Sequence, residues 1–360
     1  MADCLPPGST IGILGGGQLG RMLSIAAARL GFKCHIFEPA AHPPAGDVAH
    51  SVTMAAYDDH RALAAFAGSV DVITFEFENV PAETLDLIEA KVAVRPGRNA
   101  LAVSQDRLTE KSFLSDLSIP VAPHMAIEAR DDLAAAFEAL GEGILKTRRL
   151  GYDGKGQARI RTGGDLSEAF DALHGAAAVF EGFVAFQREV SVIVARGLSG
   201  EVVCFDPGEN IHVDGILSTT RVTDRVARQI RTDAALIAGK IVSALDYTGV
   251  MGVEMFVLSD GTLMVNEIAP RVHNSGHWTI EACVVDQFQQ HIRAICGWPL
   301  GDGSRHSDAL MTNLIGADAD GWTALAGQTA GLHLYGKSDA RPGRKMGHVT
   351  EIAPKGTLAS

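Results

Sequence analysis

An α/β fold opening on a parallel, Rossmann-like sheet is predicted by three observations on this 360-residue chain. A β-branched strand, a glycine-rich turn, a helix and a second strand follow one another at the N-terminus, the pattern of a βαβ unit. Short apolar runs recur between helical stretches further along. The hydrophobic fraction is 46% with 6% aromatics, which fills a sizeable core in two or three domains and excludes a disordered or collagen-like chain.

The elements follow in order. Thr10–Leu14 (TIGIL) reads as the first strand, GGGQLGRM leads into an amphipathic helix that stops by Gly31, and Lys33–Phe37 reads as the second strand. Residues 70–75 (VDVITF) form a further buried strand. It delivers Glu76 to its carboxyl end, where open α/β sheets hold their ligands. The pattern breaks over residues 96–105 (PGRNALAVSQ), taken as a domain boundary. A helix is predicted over 106–117, ended by the proline-rich segment up to Pro123. Strands at 144–147 and 158–161 flank GYDGKGQ, residues 151–157, and make a glycine-rich hairpin flap. Strands are then expected at 189–194 and 202–206, a helix at 232–245, and two strands at 252–258 and 263–267.

Charge narrows the partners. Lys and Arg number 31 against 43 Asp and Glu, a net −12, which offers no general attraction to nucleic acid or an anionic membrane. Any anionic substrate needs a local concentration of cations. No run of 18 apolar residues predicts a membrane span, and MADCLPPGST lacks the basic and apolar parts of a secretory leader. The five cysteines show no CxxC spacing, so free thiols in a reducing cytoplasm are expected, with Cys34 and Cys283 buried.

Several clusters carry chemistry. Gly15, Gly17 and Gly20 fit GxGxxG, with Glu38 at the end of the next strand; alone, this suggests a dinucleotide site and an NAD-dependent dehydrogenase. Its physical content is close backbone approach and a helix N-terminus that favours an anion. Lys146, Arg148, Arg149 and Lys155 place four cations in ten residues around Gly151, Gly154 and Gly156, a loop able to fold its amides over phosphates. Glu181-Gly182-Phe183-Val184 resembles a hinge whose backbone reads an adenine edge. Glu254 and Glu267 lie on adjacent apolar strands joined by Ser259-Asp260-Gly261. Facing inward they repel unless a divalent cation sits between them, and hard oxygen ligands imply Mg²⁺, with Asn266 adding a neutral oxygen. Arg271, His273, Asn274 and Ser275 suggest a pocket for a small anionic ligand, and Lys337 with Arg341-Pro-Gly-Arg344-Lys345 a phosphate seat.

Together, Lys146, the GYDGKGQ loop, Glu254 and Asn266-Glu267 resemble the ATP-grasp superfamily of carboxylate-amine ligases. The set GGGQLGRM, TFEFENV, QDRLTEK, KTRRLGYDGKGQ, APRVHNSGHWT and RPGRKMGH is similar, in order and over nearly the whole chain, to the family of N5-carboxyaminoimidazole ribonucleotide synthetases. The resemblance implies a three-domain ATP-grasp fold with domains at 1–104, 105–184 and 185–360, ATP held between the second and third. It implies ATP contacts at Arg107, Lys146, Gly151, Tyr152, Asp153, Gly154, Lys155, Gly156, Gln157, Glu181, Gly182, Phe183, Val184, Glu189, His212, Asn266 and Glu267. Mg²⁺ would fall to Glu254 and Glu267. Aminoimidazole ribonucleotide and bicarbonate would meet Gln18, Leu19, Glu76, Tyr152, Asp153, Arg271, His273, Asn274, Ser275, Lys337 and Arg344. Lys146, Arg271, His273, Glu76 and Asp153 are the catalytic candidates, with the proton acceptor open between phosphate, Glu76 and His273. On this reading the first glycine turn receives substrate rather than NAD. The implied enzyme is a cytoplasmic homodimer that carboxylates the ribonucleotide through carboxyphosphate. A dehydrogenase, a non-catalytic nucleotide-binding regulator and another ATP-grasp ligase remain the alternatives.

Overall fold

The computed structural model describes residues 4–151 and 156–358. The N-terminal part contains β1 (Thr10–Leu14), α1 (Gln18–Arg29), β2 (Lys33–Phe37), β3 (Ser51–Thr53), α2 (His60–Ala67), β4 (Val72–Phe75), α3 (Ala82–Glu89) and α4 (Arg98–Ser104). Its four strands are parallel in the order β3-β2-β1-β4. Leu14 pairs with Phe75, so the strand ends that carry the glycine turn and Glu76 lie side by side. Residues 96–105, expected as a domain boundary, hold α4, which runs almost directly into the next helix. Gly97 is extended at its cap position.

The second part comprises α5 (Arg107–Asp116), β5 (His124–Ile127), α6 (Arg130–Leu140), β6 (Gly143–Thr147), β7 (Gln157–Ile160), α7 (Leu166–Ala172) and β8 (Ala178–Gly182). Its antiparallel sheet has the order β5-β8-β6-β7. β6 and β7 form the predicted hairpin, with Lys146 opposite Gln157. Asp106 starts α5 by accepting hydrogen bonds from the amides of Leu108 and Thr109, at 3.0 and 3.2 Å.

The rest of the chain forms β9 (Arg188–Arg196), β10 (Val202–Cys204), β11 (Gly208–Val213), β12 (Ile216–Val222), α8 (Arg228–Ala244), β13 (Gly249–Val257), β14 (Leu263–Ala269), α9 (Thr279–Ala282), α10 (Gln287–Ile295), β15 (Ser307–Ile315), α11 (Trp322–Ala326), β16 (Gly331–Leu334) and β17 (Lys345–Pro354). Its strands form one sheet, β14-β13-β9-β11-β12-β15-β17-β16, with β10 also on β9. The periodicity had not separated β11, β12 and β15–β17.

The first and third parts share a core. Leu23 and Ala27 of α1 join Phe288 and Ile292 of α10 in one buried cluster. His291 crosses the same junction: the Val250 amide donates to its Nδ1 at 3.1 Å, so its Nε2–H donates to Thr74 at the end of the parallel sheet, at 2.8 Å. Burial pushes this imidazole down to about 3. Cys34 and Cys283 are buried free thiols, as expected. No helix among the described residues is long and apolar enough to cross a membrane.

Candidate active site

A cavity of about 930 Å³ opens where the three sheets meet. Its floor is the β13–β14 pair, where Glu254 stands opposite Glu267 in register. A bulge after Glu254 breaks the ladder there. Burial, and then the facing Glu267, push Glu254 up to about 7. Arg107 holds Glu267 at 3.1 Å, and Nε2 of His273 lies 3.3 Å from Glu254. Next to Glu267 in sequence, the side-chain oxygen of Asn266 is buried without a partner among the described residues. The three oxygen-bearing side chains form a set short of positive charge.

The flap side is organised differently. Lys146, at the end of β6, is 6% exposed and donates to Glu181 at 3.0 Å. Lys111 reaches the same oxygen at 3.3 Å. Burial alone would raise the Glu181 carboxyl, but the two lysines override it and hold it below the usual range. Burial in turn lowers Lys146. Glu181, Gly182, Phe183 and Val184 do not line the cavity. The adenine-reading expectation is corrected for two of their amides: Gly182 donates to Pro123 and Phe183 to Glu142, both at 2.8 Å. Sheet closure at the end of β8 uses those donors. Gly151 and Gln157 line the cavity. Gly156 has φ +70° and an added Cβ would stand 2.6 Å from the Thr147 hydroxyl, so glycine is required. Tyr152, Asp153, Gly154 and Lys155 lie outside the described residues. Arg148 and Arg149 are tied to Asp106, at 2.9 and 3.6 Å, so this cationic loop is less available than its composition suggests.

On the parallel-sheet side, Gln18, Leu19 and Glu76 line the cavity. The glycine turn is corrected in one respect. Its amides do not await an anion, because Gly17 and Gly20 donate to the two oxygens of Glu76, and Gly16 donates to Glu38. Glu76 therefore caps the N-terminus of α1 with its own carboxylate. Burial outweighs these bonds and raises Glu76. One residue pair beyond, Arg271 grips Glu78 through two nitrogens, at 2.6 and 3.3 Å. Burial opposes ionisation of Glu78, but Arg271 overrides it and lowers the carboxyl.

Lys337, Arg341, Arg344 and Lys345 line the remaining wall. Lys337 donates to the Lys345 carbonyl at 2.7 Å and Arg344 to the Asp339 carbonyl at 2.9 Å, which shapes the loop. Asn274 also lines the cavity, and both ends of its amide are buried without partners among the described residues. Ser275 does not line it: it is 1% exposed and hydrogen-bonded behind the His273 ring, so its expected substrate contact is corrected to a supporting one. His273 is driven well below its ordinary value by burial and by Arg271. Glu189 and His212 line the cavity as a pair 2.8 Å apart. Burial opposes the charge on His212, but the hydrogen bond its ring donates to Glu189 raises its pKa above the ordinary value.

The ATP-grasp domain model matches residues 112–288, the ribonucleotide synthetase preATP-grasp domain residues 9–105, and the phosphoribosylaminoimidazole carboxylase C-terminal domain residues 309–359. The chain is 55% identical to the N5-carboxyaminoimidazole ribonucleotide synthase of Brucella melitensis biotype 1, over 98% of both chains. The chain belongs to the N5-carboxyaminoimidazole ribonucleotide synthase family. It is thus an ATP-dependent ligase of purine biosynthesis, with the ATP-grasp fold expected from its motifs. The Bacillus subtilis synthase is 39% identical over 96% of this chain and 91% of that one. The solved Staphylococcus aureus N5-carboxyaminoimidazole synthetase complexed with ADP superposes with a TM-score of 0.93 at 40% identity, covering 98% of this chain and 95% of that one. The Aspergillus clavatus synthase, solved with ADP and 5-aminoimidazole ribonucleotide, gives 0.91 at 34% identity, covering 97% and 95%.

Four site residues escaped the sequence reading: Glu78, Glu110, Lys111 and Phe186. Glu110 is 2% exposed and accepts from the Ile268 amide at 2.6 Å. Burial and then Glu267 push it up to about 8. Lys111 had a signal: it lies three residues before Leu114 on the buried face of α5. Phe186 stacks on Phe256 at 4.5 Å in the cavity wall, and nothing in the pattern marks that pairing.

Proposed function

We propose that this cleft binds Mg·ATP against the floor and flap, and aminoimidazole ribonucleotide with bicarbonate against the parallel sheet and the basic loop. One observation carries the assignment: the floor has a cation-poor pair, Glu254 and Glu267, while Arg271, Lys337 and Arg344 line the same cavity. Anions with a bound divalent cation satisfy both ends at once. Glu254, Glu267 and the partnerless oxygen of Asn266 fit Mg²⁺ as hard oxygen donors. When bound, the ion supplies charge neutralisation at the ATP phosphates.

Lys146 sits at the strand end beneath the flap and meets phosphate charge, while Val184, just past β8, is the remaining hinge residue for an adenine edge. Bicarbonate attacks the γ-phosphorus, ADP leaves, and carboxyphosphate breaks down to CO₂ and phosphate. The ribonucleotide's exocyclic amine then attacks the carbon. Arg271, fixed by Glu78, presents a charged donor for the bicarbonate and carboxylate oxygens without moving first. Asn274 offers a donor and an acceptor that are unpaired among the described residues. Lys337 and Arg344 take the ribonucleotide phosphate, and Glu189 with His212 reaches the nucleotide. Closure of the 151–157 flap keeps water from carboxyphosphate.

The domain division at 1–104, 105–184 and 185–360 belongs to the same reading and is supported by the three separate sheets. A cytoplasmic homodimer also belongs to it, and sedimentation tests the dimer. The deciding experiment is phosphate release from ATP with bicarbonate, with and without aminoimidazole ribonucleotide. Release that requires the ribonucleotide supports the reading; release indifferent to it refutes the substrate.

A further inference from the structure

Behind His273 runs a buried row of polar side chains that the site description leaves without a role. Thr220 on β12, Asn210 on β11 and Ser191 on β9 are each no more than 6% exposed. The Thr220 hydroxyl donates to the Asn210 carbonyl oxygen at 2.9 Å. The Asn210 amide nitrogen donates to Ser191 at 3.0 Å, and Ser191 donates to Ser275 at 2.7 Å. The Ser275 hydroxyl stands 2.8 Å from Nδ1 of His273.

The direction of this row can be read at its end. The backbone N–H of Ser275 also points to Nδ1, at 3.3 Å. A backbone amide can only donate, so Nδ1 carries a lone pair and the neutral ring holds its proton on Nε2. With its proton directed to Nδ1, the Ser275 hydroxyl accepts from Ser191. Ser191 likewise accepts from Asn210, whose carbonyl accepts from Thr220. Every group passes its donor the same way, and the row ends with Nε2–H facing Glu254 Oε1 at 3.3 Å.

We propose that Ser191, Asn210 and Thr220 are positioning residues that lock His273 in the Nε2–H form, making it a hydrogen-bond donor in the cleft and not the proton acceptor of the carboxylation. The inference rests on the functional reading above and deepens it. The donor steadies one oxygen of Glu254 and leaves the other to a ligand, and a ring held this way has no lone pair facing the cavity. The proton released when the exocyclic amine attacks CO₂ then goes to Glu76 or to phosphate.

The test uses the full chain labelled at histidine with ¹⁵N and needs no substrate. Long-range ¹H–¹⁵N correlation of the unliganded protein should show a protonated Nε2 and a lone-pair Nδ1 for His273. The opposite pattern, or an even mixture, overturns the proposal, and it does so whether or not the chain carboxylates the ribonucleotide. The second measurement reverses the row. In Asn210→Asp the ionised carboxylate can only accept, so Ser191 and Ser275 must turn and His273 is drawn to donate from Nδ1. At pH 9 this variant should show Nδ1–H signal and a kcat lowered about 10-fold, with the KM for ATP within about twofold of wild type. Ser191→Thr, which keeps the hydroxyl, should retain the wild-type ring signature. A ring that stays wholly Nε2–H in Asn210→Asp shows that the Ser275 amide alone sets the tautomer and overturns the relay. Failure of the functional reading is seen separately, as wild-type phosphate release that ignores the ribonucleotide.

Discussion

Two carboxylate sites, one lining the cleft and one buried behind its flap wall, are balanced in opposite ways. On the flap sheet, one oxygen of Glu181 receives Lys146 and Lys111, at 3.0 and 3.3 Å, and the carboxyl is held below its ordinary value. On the central sheet, Glu254 and Glu267 face each other with one arginine between Glu267 and α5, and Glu254 is pushed up to about 7. Glu181 is buried and in contact with two lysines, whereas Glu254 and the more exposed Glu267 line the cavity and face each other, so the nearest charged neighbour separates the two regions. On the flap side the charge of Glu181 is balanced within the protein through one oxygen, while its other oxygen is buried without a partner among the described residues. The floor leaves two carboxylates facing each other, the charge that the proposed metal-bound nucleotide would meet.

The largest expected effect breaks the satisfied side. Glu181→Gln removes the anion shared by two buried lysines, and losing one partner of a buried pair costs about 3–5 kcal/mol. Urea denaturation measures it, and a loss under about 1 kcal/mol would show that Glu181 is not what balances the lysines. Next comes the unsatisfied side. Glu267→Gln relieves repulsion with Glu254 but withdraws the anion that Arg107 meets at 3.1 Å, so the unliganded fold should lose less stability than in Glu181→Gln. Turnover should fall about 100-fold. Wild-type turnover at saturating Mg²⁺ would sink the metal assignment. A smaller effect belongs to the basic loop. Arg344→Ala should raise the ribonucleotide KM by the equivalent of about 1.5–3 kcal/mol, the worth of one charge-assisted phosphate contact, with the ATP KM unchanged. An unaltered ribonucleotide KM makes the loop a solvated surface.

The floor was far more legible in the sequence than the flap's interior. Glu254 and Glu267 sit on apolar strands joined by a short turn, so their pairing followed from local pattern, while the bulge that sets their register did not. The β1–α1–β2 unit and the β6–β7 hairpin were legible for the same reason. Glu181 carried a motif resemblance, but its partner Lys111 lies 70 residues away, and no periodicity joins them. Arg271 was singled out, while Glu78, which aims it, is 193 positions distant. The glycine turn misled because its spacing describes a helix N-terminus open to anions. It does not say that Glu76, 59 residues after Gly17, already occupies it. Local chemistry was readable; which charge neutralises which depends on folding.

The comparison can be sharpened without touching either carboxylate pair. Glu110 lies beside the floor, 2% exposed, and burial followed by Glu267 raises it from 4.5 to about 8. An acid raised in the folded state keeps its proton there while the unfolded chain releases it above pH 4.5. The unfolded state then binds fewer protons, so this group lowers stability as pH climbs from about 4.5 to about 8. Below that window both states are protonated, and above it both are ionised. Glu110→Gln keeps an acceptor for the Ile268 amide and removes the titration. Buried histidines such as His291 titrate in both proteins and cancel in the difference. The stability of the variant minus that of wild type should therefore rise with pH across the window, by at most about 1.4 kcal/mol per unit, and stay flat on either side. Denaturation at intervals from pH 5 to 9 measures this. A flat difference between pH 5 and 8 would mean that Glu110 is already neutralised by Arg107 or Lys111, and that the cation shortage stops at Glu254 and Glu267.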